Sequence, residues 1–269
     1  MEQPATATRS VDSTDAAAHA LVPFSFLNPY HDALRDELRR FPIADRQILI
    51  QQAWQPDGKG GTAIGFGASV YDAAIALSLF LDSHRDLVQG KRVIELGCGP
   101  GLVGIVAAHL NAASVLVTDG DDASVALTAT NISRNSLDAD ARCRAAPYLW
   151  GDAASCVLQD APFDVILGAD IVACPYADAF DALLQAFLQL SDASTLLVLA
   201  YKRRHGSEKA FFRVFRAVFQ GRTSATRCNP RRLPEERHRV VDRETSVSIV
   251  VFHYPNMTNR LEHVDISIM

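Results

Sequence analysis

Apolar positions along this chain follow two rhythms. The short runs "KRVIEL" (91–96), "SVLVTD" (114–119), "ARCRAAPYLW" (141–150), "FDVILGAD" (163–170) and "STLLVLAYK" (194–202) show little alternation with polar residues. Such runs predict strands buried on both faces. Between them the apolar spacing becomes helical, in "LVGIVAAHL" (102–110), "DASVALTATNISRN" (122–135) and "ADAFDALLQAFLQL" (177–190). "VYDAAIALSLFLD" (70–82) is a further predicted helix before the series, and "EKAFFRVFRAVFQ" (208–220) one after it. In the last, Phe211, Phe212, Phe215 and Phe219 recur at helical spacing, which predicts a core stripe rather than a stacking platform. "RQILIQQAW" (46–54) and "VSIVVFHYP" (247–255) add a first and a last strand, and the Gly-rich "GKGGTAIGFG" (58–67) reads as a loop.

Strands that alternate with helices indicate βαβ units and a parallel sheet covered on both faces. The pattern predicts one doubly wound α/β domain over residues 45–256. Residues 1–20 read as a disordered tail and 257–269 as a second tail. Residues 21–44 read as a helical extension, because "FSFLNPYHDALRDELRRFP" (24–42) contains a short amphipathic helix.

Composition narrows the class of protein. Nearly half of the 269 residues are hydrophobic, enough for a large core, and no apolar run approaches the roughly 20 residues of a membrane span. The first twenty residues lack an apolar targeting core and carry Glu2, Asp12 and Asp15, against a transit peptide. Cys98, Cys143, Cys156, Cys174 and Cys228 form no metal-like spacing, and their odd number suits reduced thiols in the cytoplasm or nucleus. No histidines pair at helical spacing, so no metal site is expected. The net charge is −5, yet about half of the Lys and Arg lie between Lys202 and Arg243. That segment is either a solvated surface or a contact for an acidic partner.

In a doubly wound sheet, ligands bind outside the carboxyl ends of the strands. The predicted strand at 91–96 runs into "VIELGCGPGLVG", where Gly97, Gly99 and Gly101 allow a tight turn and close backbone approach to a ligand. Gly99, Gly101 and Gly104 also satisfy the dinucleotide pattern G-x-G-x-x-G. Glu95 weighs against that reading, since it would face a pyrophosphate with like charge. It suits a cofactor carrying a sulfonium and an amino group. The next predicted strand ends in Asp119, where a carboxylate can accept both ribose hydroxyls of an adenosine. Trp150 is either a core residue or a flat face for adenine. Asn131 and Asn135 read as helix-capping residues.

The signature "ELGCGPGLVGI" resembles that of the class I, seven-strand S-adenosylmethionine-dependent methyltransferases. Within these, the chain is similar to the protein lysine methyltransferases that modify elongation factors, chaperones and related ATPases. Tyr71 heading a helix, "WGD" at 150–152, "GAD" at 168–170 and "AYKRR" at 200–204 carry that narrower resemblance, which runs from about Ile48 to Tyr254. It implies a Rossmann-like seven-strand sheet, mostly parallel with an antiparallel last strand. It also implies S-adenosyl-L-methionine as cofactor, S-adenosyl-L-homocysteine as product, and a cofactor wall that includes Tyr71, Cys98, Gly120 and Ala169. Two positions depart from the family: Tyr71 replaces a tryptophan, and Ala173 replaces the tyrosine of a D-x-x-Y motif that begins at Asp170.

Methyl transfer from a sulfonium needs a neutral nucleophile held in line. An amine arrives protonated and must be oriented by acceptors. Asp170 is the expected acceptor, with Tyr176 or Tyr201 as a cation–π wall. The expected function is therefore lysine N-methylation of a non-histone protein by a monomer in the cytoplasm, and possible entry to the nucleus follows from the same cysteine usage. Two alternatives stay open: methylation of RNA or a small molecule on the same scaffold, and cofactor binding without catalysis.

Overall fold

The computed structural model describes residues 32–56, 65–137, 141–172, 179–202, 207–220 and 247–253, all within one compact unit that begins at Asp32. Among them, six strands form the main sheet: β3 (Arg92–Leu96), β4 (Ser114–Asp119), β5 (Cys143–Pro147), β6 (Val165–Ala169), β7 (Leu196–Lys202) and β8 (Val247–His253). Their order is β5-β4-β3-β6-β7-β8. Every neighbouring pair is parallel except β7 and β8. The doubly wound α/β class is therefore as the sequence pattern predicts, and the antiparallel last strand as the family resemblance implies. Of the seven predicted strand segments, the one at 46–54 leaves this sheet.

Successive side chains of a strand point to opposite faces, and here both faces are apolar. Val93, Val115, Val117, Val165, Leu167 and Val198 belong to one buried cluster with α1 (Asp72–Ser83) and α2 (Leu102–His109). Ile94, Leu96, Leu116, Ile166, Leu197 and Leu199 belong to another with α4 (Phe180–Leu190) and α5 (Ser207–Gln220). This is why the strand runs lack a polar alternation. On the second face, Phe187 meets Phe211 and Phe215 edge-on, with ring centroids 6.5 and 5.9 Å apart. The predicted aromatic stripe of α5 is core at Phe211, Phe212 and Phe215. No helix among the described residues is long and apolar enough to cross a membrane.

The expected helical extension is corrected over its described part. Ala33–Arg35 is a single 3₁₀ turn, and Leu38–Ile43 is a strand, β1, paired antiparallel with β2 (Arg46–Gln51). Phe41 and Ile43 are buried while Arg40 and Pro42 are not fully covered, a period of two that overrides the helical reading. Ala44 and Asp45 both take positive φ, 58° and 57°, as a two-residue hairpin turn of the primed type requires. Neither is the Gly or Asn that normally signals such a turn. The tails at 1–20 and 257–269, and the Arg-rich stretch beyond Lys202 except for part of α5, lie outside the described residues.

Asn135 is the C-cap of α3 (Asp122–Arg134), as expected, and its Nδ2 also donates to the Asn131 carbonyl at 2.8 Å, whereas Asn131 lies inside the helix and is no cap. Both side chains, one turn apart, do something further and pair with the free edge of β2. Leu49 N–H donates to Asn135 Oδ1 at 2.9 Å, and Asn135 Nδ2 donates to Leu49 O at 2.8 Å. Gln51 N–H donates to Asn131 Oδ1 at 2.8 Å, and Asn131 Nδ2 donates to Gln51 O at 3.0 Å. Two side-chain amides thus stand in for a neighbouring strand, satisfying an edge that would otherwise be open.

Candidate active site

From β3 the chain winds outward through β4 to β5 and then returns to β6 on the other side of β3. A parallel sheet opens at its carboxyl edge where the winding reverses. A crevice of about 520 Å³ lies at this edge, within the roughly 300–1,000 Å³ of sites that enclose small molecules. Tyr71, Glu95, Gly97, Cys98, Gly99, Asp119, Gly120, Trp150, Ala169 and Asp170 line it together. Tyr176 and Ala173 lie outside the described residues.

The glycine loop between β3 and α2 has physical reasons for its glycines. Gly97 has φ 62°, and a Cβ there would sit 2.8 Å from Ile171 Cγ2 and 3.3 Å from Trp150 Cζ2. Gly99 donates its N–H to Asp119 Oδ2 at 3.0 Å, and its carbonyl accepts from Thr128 Oγ1 at 2.6 Å. Gly101 is corrected from a lining residue to a structural one. It precedes α2 with φ 85°, and its missing Cβ leaves room for Thr128 Cγ2, which would otherwise be 2.7 Å away. Because the Thr128 hydroxyl is tied to the loop, it cannot swing aside freely. Gly101→Ala is expected to cost ~1–3 kcal/mol, read as a lower denaturant midpoint with an unchanged slope.

Two carboxylates stand behind this loop. Glu95 is almost completely buried on the α2 side of β3, and its Oε2 accepts the Gly104 N–H at 2.7 Å. Burial pushes its pKa up to about 8, helped by the nearby charge of Asp119 and opposed by the Gly104 hydrogen bond. Asp119 is also raised by burial, against hydrogen bonds from Gly99 and Asp121. The polar cluster "TDGDDAS" divides its work: Asp121, not Asp119, caps α3, accepting from Ser124 N–H at 2.8 Å. Asp119 Oδ2 accepts the Gly99 N–H and Oδ1 the Asp121 N–H, and Gly120 N–H also bonds the carboxylate, which with about four lone-pair sites still has acceptor capacity.

The other wall is apolar and aromatic. Trp150 is half-buried, packs in part on the second core cluster and also lines the crevice. Its loop is anchored at Gly151, φ 77°, where a Cβ would lie 3.2 Å from Ala182 O on α4. Leu149 and Phe66, which the sequence reading missed, also line the crevice at 70 % and 56 % exposure. Phe66 sits in the Gly-rich stretch read as a loop, and Leu149 near the end of a stretch read as a strand, so neither position stood out as a wall of a crevice. Tyr201 is corrected: it is a core residue, packed on Phe212 at 5.2 Å between ring centroids, because it shares the inner face of β7 with Leu197 and Leu199.

Asp170 ends β6 in the left-handed region, φ 59°. Gly168 makes this turn possible, since a Cβ there would lie 2.4 Å from Ile171 Cδ1. The strained residue is held on both sides by β7: its N–H donates to Ala200 O at 2.8 Å, and its Oδ1 accepts from Lys202 N–H at 2.9 Å. Lys202 Nζ in turn pairs with Asp72 Oδ2 at 3.0 Å, next to Tyr71. Glu95, Asp119, Asp121 and Asp170 all line the crevice, while no Lys or Arg lines it among the described residues. Its field therefore favours a cation. No group of three or more metal-binding side chains is assembled among the described residues.

A family model described as lysine methyltransferase matches residues 55–217. "Protein N-lysine methyltransferase METTL21A" of Danio rerio is 36 % identical over 202 residues, covering 74 % of this chain and 87 % of that protein. "EEF1A lysine methyltransferase 3" of Mus musculus is 34 % identical over 183 residues, covering 66 % of this chain and 72 % of its own length. Among solved structures, the O-methyltransferase from Bacillus cereus in complex with SAH has a TM-score of 0.40 and 18 % identity, over 59 % of this chain and 73 % of that one. The match spans more than half of the sequence: the chain belongs to the lysine methyltransferase family, whose methyl donor is S-adenosylmethionine.

Proposed function

We propose that the chain methylates a lysine side chain of a non-histone protein, acting as a monomer in the cytoplasm with access to the nucleus, and that Asp170 orients the amine. The residues of the crevice fit the cofactor: Asp119 has acceptor capacity for ribose hydroxyls, Trp150 and Leu149 offer an apolar face for a base, and Glu95 is an acid matched to a cationic group. Gly97 and Gly99 carry no side chain between that ligand and the backbone. When bound, S-adenosylmethionine supplies a methyl group on a positively charged sulfur, open to displacement by a neutral amine.

The observation that carries the reading is the placement of Asp170. A carboxylate held in the left-handed region at the crevice, by two hydrogen bonds to β7, is a strained and preorganised acceptor of the kind found at functional sites. Asp170 accepts a hydrogen bond from the incoming amine and keeps its nitrogen lone pair pointed into the crevice. The acidic lining draws the ammonium form to the mouth, and the proton leaves to solvent before transfer. The relatives named as protein N-lysine methyltransferases support a protein as the acceptor.

The test is incubation of the purified chain with labelled S-adenosylmethionine and an extract of its own cells, followed by protease or nuclease digestion. Label released by protease and recovered as methyl-lysine is the expected outcome. Label released by nuclease alone moves the acceptor to RNA and makes the Arg-rich segment its contact, with activity falling steeply as salt rises. Cofactor binding with no label on any fraction rejects the catalytic reading.

A further inference from the structure

The hairpin β1–β2 precedes the residues matched by the family model, yet its hydrogen bonds end on both walls of the crevice. On one side, Asn131 Nδ2 donates to Pro100 O in the glycine loop at 2.9 Å, in addition to its two bonds with Gln51. On the other, Gln52 Oε1 accepts the Val70 N–H at 2.8 Å, and Arg39 donates to the Val70 carbonyl at 2.8 Å. Ala53 N–H donates to Ala68 O at 2.9 Å. Val70, the residue before Tyr71, is thus held at its carbonyl by Arg39 of β1 and at its N–H by Gln52, which directly follows β2. The hairpin is gripped in turn by the same amide that holds Pro100.

Asn131 is wholly buried, and its side chain makes three hydrogen bonds. Gln52 is 3 % exposed and has bonds at both ends of its amide, its Nε2 reaching Ala33 O at 2.9 Å and Asp36 O at 2.7 Å. Rigid, fully satisfied amide networks of this kind specify one arrangement of the groups they join. The path from Pro100 through Asn131, Gln51, Gln52 and Val70 to Tyr71 is continuous, and both of its ends line the crevice.

We propose that Asn131 is a positioning residue for methyl transfer, setting the separation between the glycine loop and the Tyr71 wall through the β1–β2 hairpin. The proposal rests on the crevice being the cofactor site. Asn135 provides the internal comparison, because it binds the same strand at Leu49 but makes no contact with the glycine loop.

The experiment compares Asn131→Asp with Asn135→Asp. Each substitution keeps the acceptor for a β2 N–H and turns the donor into an oxygen facing carbonyls, so both loosen the hairpin. The milder Asn131→Ser covers the case in which the aspartate variant does not fold. S-adenosylhomocysteine affinity is measured by calorimetry well below the melting temperature, with kcat and KM for the methyl donor measured separately. Misplacement of about 1 Å can cost on the order of 100-fold in rate. Both aspartate variants are expected to melt earlier. Asn131→Asp alone weakens S-adenosylhomocysteine by about tenfold or more and raises KM with it, while Asn135→Asp stays within about twofold of the unaltered chain. Combining Asn131→Ser with Gln52→Ala gives less than the product of the two single effects, as expected for two parts of one path. Equal weakening by Asn131→Asp and Asn135→Asp, or normal affinity in a folded Asn131 variant, overturns the proposal. Absence of binding by the unaltered chain overturns the cofactor reading, and the proposal falls with it.

Discussion

Asp170→Asn will lower turnover by on the order of 10²–10⁴ while leaving cofactor affinity within a few-fold, the size of effect expected when a positioned acceptor is lost. Asparagine is the informative replacement, since it tolerates the left-handed backbone at φ 59° and its side-chain oxygen can still accept the Lys202 N–H. Only the negative charge and one acceptor are removed. Asp170→Ala removes more, because alanine meets the full left-handed penalty of roughly 1–2 kcal/mol and the clamp between β6 and β7 opens. The alanine variant should therefore melt earlier as well as lose activity, whereas the asparagine variant keeps its melting temperature. Single-turnover rates and cofactor titrations on both variants separate the two effects. A normal rate in Asp170→Asn removes the carboxylate from the chemistry and leaves it as a link between strands.

Glu95→Gln will weaken the cofactor and, at high pH, stabilise the ligand-free protein. Hydrogen bonds to a charged partner are worth ~1.5–3 kcal/mol, so affinity should fall roughly 10- to 100-fold. The stability effect has the opposite sign. The carboxyl ionises near its ordinary pKa of 4.5 when the chain is unfolded, but only at about 8 in the fold. Between these values the native state keeps a proton that the unfolded chain has lost, so stability declines as pH rises from 4.5 to 8 and levels off above it. The total loss is on the order of a few kcal/mol. Glutamine has no such charge to bury and can still accept the Gly104 N–H. Denaturant unfolding at pH 5 should find the two proteins alike, and at pH 8.5 the variant ahead. In the unaltered protein, a cationic ligand must drive the proton off Glu95, so its affinity should increase between pH 6 and pH 8. Flat profiles of both stability and affinity across that range would reject this role for Glu95.

Much of this molecule is local in origin. The unbroken apolar runs of β3, β4, β6 and β7 could only be strands covered on both sides, and their covering clusters divide residue by residue as that pattern requires. Glu95, Asp119 and Asp170 stand at or next to the ends of such strands, and in a doubly wound sheet strand ends meet at one edge, so these three acids of the crevice were readable before any coordinates, while Asp121 was not. The long-range arrangement was not. Leu49 meets Asn135 across 86 positions of sequence, and nothing near either residue announces an amide that serves as a strand. The N-terminal hairpin carries a helix-like charge pattern and a turn without Gly or Asn, and only burial of Phe41 and Ile43 against the body of the fold makes it β. Tyr201 and Gly101 depart from expectation for a related reason: which face of β7 is core, and where Thr128 packs, depend on elements far away in the chain. Local periodicity determined the strands, the helices and the acids at their ends, because hydrophobic burial and backbone geometry act over a few residues. Tertiary packing decided which amide, ring or missing Cβ stands at each wall of the site, because those contacts join segments that share no common period.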